Sequence, residues 1–98
     1  MLMRSLGPTQ IVSGTVTILE VPVFRAQVTI WVADAKHPRK FVRYTMQDGT
    51  YEFDNIVDGE YTYQVIVTGI QTNAYTNEWS GSFTVNGQNV ALNFNAGL

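Results

Sequence analysis

The 98-residue chain predicts an all-β protein, a seven-stranded antiparallel β-sandwich. Three observations carry this. Residues 50–67 alternate so that Tyr51 and Phe53, then Tyr61, Tyr63, Val65 and Val67, fall on one face. Turn dipeptides recur at Asp48-Gly49, Asp58-Gly59 and Asn86-Gly87, where aspartate or asparagine bonds its own backbone and glycine accepts φ > 0. No stretch of useful length shows helical periodicity.

Residues 1–10 read as an arm. Met1, Leu2, Met3 and Leu6 are apolar without a strand pattern, and Gly7-Pro8 breaks any helix. The arm either tucks against its own domain or reaches a neighbouring subunit through Leu2 and Leu6. Residues 11–98 form the single domain. The first strand is expected over residues 11–19, with Val12, Gly14, Val16 and Ile18 on one side, and Pro22 marks an edge or a break. The second, residues 26–33, points Ala26, Val28, Ile30 and Val32 inward and Gln27, Thr29 and Trp31 outward. The third, residues 41–46, is bulky on both sides, which leaves its facing open. The fourth and fifth are the alternating pair. A long Asn- and Thr-rich connection over residues 69–80 precedes a sixth strand at residues 81–85. Asn86-Gly87 is the strongest short hairpin signal, leading to a seventh strand with Val90, Leu92 and Phe94 inward.

Composition narrows the function. With 45% hydrophobic and 14% charged residues the chain is a globular domain. It lacks cysteine, so no disulfide or thiolate metal site is expected. A net charge of −2 argues against a general nucleic-acid binder, and no apolar run is long enough to span a membrane. No apolar stretch of signal-peptide length follows Arg4. The chain is therefore expected in the cytoplasm or a virion, or at the cell surface where a leader has been removed.

At this point a family pattern emerges. Gly14-Thr15-Val16, Pro22, Ala26-Gln27-Val28, the set Thr45, Gly49, Tyr51 and Phe53, and the set Ile56, Gly59, Tyr61, Tyr63, Val65 and Val67 together resemble carboxypeptidase regulatory-like domains. The resemblance spans residues 11–94 and implies a transthyretin-like (prealbumin-like) sandwich, an Ig-like Greek key without catalytic residues. Met46 stands where that family usually has aspartate.

The chemistry of catalysis is sparse. His37 is the only histidine, beside Pro38 in a polar connection, with no Gly-x-Ser-x-Gly elbow anywhere. The carboxylates at Glu52, Asp54, Asp58 and Glu60 lack the alternating-oxygen pattern of a calcium loop and read as charged turn residues. No enzyme, cofactor or metal is expected.

Binding surfaces remain. Lys36, Arg39, Lys40 and Arg43 form a basic group, expected to share one end of the domain with the acidic residues 54–60. Arg39 and Lys40 are either neutralised locally or meet an acidic partner. The opposite end would gather Val23, Phe24, Gln47, Asp48 and the aromatic pair Tyr75 and Trp79, which either cap the core or stack on sugar rings. Trp31 and Ile66 are large apolar groups aimed outward, which marks a covered surface. The leading expectation is a structural module docked on a larger assembly, such as a decoration or accessory protein of a virus particle, meeting another protein or copies of itself. The alternative is a cell-surface carbohydrate-binding or adhesion module.

Overall fold

The computed structural model describes residues 8–34, 36–67 and 77–96; Leu2, Leu6 and Tyr75 lie outside them. Among the described residues there is no helix. The strands are β1 (Thr9–Ile18), β2 (Val21–Pro22), β3 (Gln27–Val32), β4 (Lys40–Tyr44), β5 (Thr50–Val57), β6 (Gly59–Val67), β7 (Asn77–Val85), β8 (Val90–Ala91) and β9 (Phe94–Ala96).

They form two sheets. One is ordered β4-β3-β6-β7, all antiparallel. The other is built around β1, which pairs antiparallel with β2 and β5 and parallel with β8 and β9. Side chains from both sheets meet in one core: Val28, Ile30, Tyr61, Val65, Val67 and Val85 from the β4-β3-β6-β7 sheet, and Val12, Val16, Tyr51, Phe53, Ile56 and Phe94 from the sheet around β1. The alternation of residues 50–67 is realised as buried Tyr51, Phe53, Tyr61, Val65 and Val67, with Tyr63 half-buried.

Several expectations need correcting. The first strand begins at Thr9, so Thr9 and Gln10, expected in the arm, pair with Val57 and Ile56 as part of the sheet. The final strand is not antiparallel to its neighbour: β8 and β9 run alongside β1. Neither Asp58-Gly59 nor Asn86-Gly87 closes a hairpin. Each is a turn between strands that lie in opposite sheets, and the two turns are tied together where the Gly87 N–H donates to Asp58 Oδ1 at 2.9 Å. Val32, expected inward, is 42% exposed at the end of β3. Trp79 and Ser80 belong to β7 and not to a loop, since that strand starts at Asn77.

Asparagines stitch the parallel seam. Asn89 Oδ1 accepts from the Ile11 N–H, Asn93 Oδ1 from the N–H and hydroxyl of Thr15, and Asn95 Oδ1 from the Thr17 hydroxyl and the Glu20 N–H. Side-chain carbonyls thus replace ladder bonds that broken strands cannot supply. Gly14 sits at the closest approach of the seam: a methyl there would overlap the Leu92 carbonyl. The Tyr51 hydroxyl donates to that same carbonyl at 2.7 Å.

Burial, with Tyr63 nearby adding to it, pushes the Tyr51 phenol well above its ordinary pKa of 10.0, and burial followed by the Asp58 charge raises Tyr61. A phenol raised in the folded state stabilises the fold fully below its unfolded pKa, and that contribution is lost as pH climbs past it. Urea unfolding measured from about pH 9 to about pH 11 is expected to show a falling midpoint, with a smaller fall in Tyr51→Phe. An unchanged slope in the variant would remove Tyr51 from this role.

Candidate functional site

Two crossings between the sheets lie side by side at one end. Residues 23–26 carry the chain from β2 to β3, and residues 45–49 carry it from β4 to β5. Thr45 joins them. It is 1% exposed, its hydroxyl donates to the Val23 carbonyl at 2.6 Å and accepts from the Ala26 N–H at 2.8 Å. Its backbone adds two bonds, Thr45 N–H to Ala26 O and Arg25 N–H to Thr45 O, each 3.0 Å. A buried hydroxyl that satisfies one carbonyl and one amide holds both loops in a single geometry.

The second loop closes on itself. Gly49 has φ +80, its N–H donates to Met46 O, and its own carbonyl accepts from Val16 N–H, both at 2.8 Å. Asp48 Oδ1 accepts from the Thr50 hydroxyl at 2.7 Å and the Thr50 N–H at 3.1 Å. These bonds, the hydroxyl first, hold the Asp48 carboxyl below its usual pKa, so it stays ionised. The side chain that closes this turn is therefore Asp48, two positions beyond Met46.

Clamped in this way, the loops present a cluster that sequence reasoning found only in part. Arg25 sits at φ 70, in the left-handed region that an ordinary side chain occupies at a cost of about 1–2 kcal/mol. Its guanidinium lies 4.8 Å from the Tyr44 ring centroid and 6.0 Å from that of Phe24. Phe24 and Tyr44 are nonetheless 45% and 46% exposed. Together with Thr45, Met46, Gln47 and Asp48 they line an open depression of about 660 Å³. Tyr44 and Met46 also border a second depression, about 510 Å³, that reaches Arg43, Thr50 and Glu52. Val23, Phe24, Gln47 and Asp48 were expected at one end and are there; Arg25 and Tyr44 were missed. An αL arginine leaves no mark in sequence, and the facing of β4 was ambiguous.

The register resolves that facing. Phe41 and Arg43 pair with Ile30 and Val28 on the inner side, which puts Lys40, Val42 and Tyr44 outward beside Trp31, Thr29 and Gln27. An inward charge on an edge strand, here Arg43 with its guanidinium 5.4 Å from the Phe53 centroid, discourages further strand pairing.

The other candidates fall as follows. Trp31 lies on the outer face, half-buried, with Lys40 Nζ 4.6 Å from its ring centroid; Ile66 is on the same face, opposite Gln27 and Glu78. Arg39 stands over Phe41 at 5.6 Å. Among the described residues, the cationic ends of Arg39 and Lys40 thus meet aromatic rings and not the carboxylates expected at that end. Trp79 leaves the candidate list: it packs inward on Phe94, centroids 5.6 Å apart, in a run of rings with Tyr63, Phe83 and Tyr61. Its strand alternates toward the core, so it caps the interior and offers no platform.

No family model matches the chain, and no curated protein matches it. Among solved structures, a “putative carbohydrate binding protein” from Pseudomonas aeruginosa shares the fold: TM-score 0.63 and 17% identity, over 88% of this chain and 87% of that one.

Proposed function

We propose that this chain is a non-catalytic carbohydrate-binding module whose site is the depression between the residue 23–26 and residue 45–49 loops. The carrying observation is the pairing of Phe24 and Tyr44, nearly half-exposed, with Arg25, Gln47 and Asp48 around one opening. Aromatic rings offer flat apolar area to the C–H faces of a sugar, while guanidinium, amide and carboxylate groups reach its hydroxyls. The Thr45 clasp holds these groups before any ligand arrives, which limits the ordering cost of binding. A shared fold with a protein described as carbohydrate-binding adds weak support.

The reading places the chain among carboxypeptidase regulatory-like, transthyretin-like sandwiches. Its support is that Thr45 and Gly49, two residues of the motif, form the clasp and turn just described.

The test is calorimetric titration against a panel of neutral and acidic oligosaccharides. A binding glycan is expected to lose about 2 kcal/mol, roughly thirtyfold, in Tyr44→Ala, the size of an interface hot spot. Far-UV circular dichroism should stay as in the parent. If no glycan of the panel binds, the reading is overturned.

Docking of a protein partner, the first expectation from sequence, keeps one observation of its own. Leu19 and Val21 are 51% and 61% exposed and border one depression with Ile18 and Pro22. Large exposed apolar groups in proximity mark contact surfaces. Sedimentation of the chain over a range of concentrations distinguishes the cases: self-association abolished by Val21→Asp favours docking of copies.

A further inference from the structure

We infer that the glycan taken by this protein is acidic, and that it lies along the outer side of β4, held at one end by Arg25 and Tyr44 and at the other by Lys40 and Trp31. This rests on the carbohydrate-binding reading above.

The outer face of the β4-β3-β6-β7 sheet is divided by charge. Its β4 and β3 half carries Lys40, Trp31, Val42, Thr29, Tyr44 and Gln27, with Arg25 over Tyr44. Its β6 and β7 half carries Glu60 and Glu78, the latter accepting from Gln64 Nε2 at 2.9 Å. Of the chain's eight acidic residues, none falls in β3 or β4. Strands β3 and β4 thus carry Lys40 and no carboxylate on this face, while at the Arg25 end the cation shares the opening with ionised Asp48.

The two cation–ring pairs are repeats of one device at a fixed separation. Lys40 and Tyr44 are four residues apart on one strand, which separates the pairs by about 13 Å. Between them the surface is low and closed: Thr29 is 5% exposed although it faces outward. An extended chain can bridge the two ends without dipping into a pocket. Guanidinium and ammonium groups bind carboxylates and sulfates more strongly than hydroxyls.

Single-stranded nucleic acid is the competing polyanion. Glu60 and Glu78 on the other half of the sheet would repel the closely spaced phosphates that run beyond Arg25 and Lys40. A polysaccharide, with its acid groups set one sugar or more apart, matches the pair better.

The experiment titrates the full chain with hexasaccharides of galacturonate and of hyaluronan, each beside its methyl-esterified, neutral form, with xylohexaose and a thymidine oligonucleotide as further probes. At least one acidic form is expected to bind about tenfold more tightly than its own ester, the worth of one charge-assisted hydrogen bond. That preference should shrink at about 0.5 M salt, and in both Arg25→Gln and Lys40→Gln. Equal binding of acid and ester, or binding of xylohexaose alone, overturns the acidic preference and leaves the carbohydrate reading standing. Tighter binding of the oligonucleotide overturns it in favour of nucleic acid. No binding of any saccharide overturns both.

Discussion

Gly14→Ala is expected to lower the unfolding free energy by about 3 kcal/mol, the largest effect of a single methyl among the described glycines. The added carbon would overlap the Leu92 carbonyl, a backbone group that cannot swing aside as a side chain would. Relief requires that β8 and β9 move off β1, which opens the asparagine-stitched seam. It also pulls Leu92 O away from the Tyr51 hydroxyl, leaving a buried phenol without its acceptor. The overpacking term alone is about 1–3 kcal/mol and the orphaned hydroxyl about 1–3 more. Urea unfolding measures the sum. A loss below about 1 kcal/mol would mean that the seam shifts freely and that the parallel pairing is loose.

The second large effect belongs to Thr45. Thr45→Val keeps the shape but removes the hydroxyl, so the Val23 carbonyl and the Ala26 N–H are both left buried without partners. At about 1–3 kcal/mol for each, the expected loss is about 2–6 kcal/mol. Thr45→Ser, which keeps the hydroxyl, should recover most of it. The same substitution serves as a functional probe. If the clasp positions Phe24 and Arg25, Thr45→Val will weaken glycan binding even at temperatures where the variant is fully folded. Retained affinity would show that the loops hold their geometry without it.

Arg25 separates stability from binding in the opposite sense. Arg25→Gly relieves the left-handed backbone while it loses an exposed cation–ring contact, terms of similar size near 1 kcal/mol. Unfolding should shift little. Binding should fall, because the variant removes the guanidinium that lines the opening beside Tyr44.

How much of this was legible in sequence depends on whether a residue's fate is decided locally. Tyr51, Phe53, Tyr61 and Val65 alternate in strands with one buried face, so period two places them unambiguously. The turn residues were also read correctly as turns, but the dipeptide rule pairs the flanking strands, and here those strands belong to different sheets. Sheet membership depends on long-range partners and leaves no local trace. The parallel course of β8 and β9 was hidden for the same reason, since Asn89, Asn93 and Asn95 look like loop residues until β1 lies beside them. Trp79 was misplaced because the Asn- and Thr-rich surroundings disguise the strand that carries it inward. Half of the site was readable, namely the meeting of Val23 and Phe24 with Gln47 and Asp48. Tyr44 and Arg25 were not: an edge strand with bulky groups on both sides has no decisive period, and only glycine announces φ > 0 in sequence.

The central claim is that saccharide binds between the residue 23–26 and residue 45–49 loops. Amide chemical-shift mapping of the labelled chain, titrated with the tightest glycan of the panel, tests it most directly. The largest perturbations are predicted at Phe24, Arg25, Tyr44, Met46, Gln47 and Asp48, with smaller ones at Trp31 and Lys40. Perturbations confined to β7 and the asparagine seam, with these residues unmoved, would contradict it.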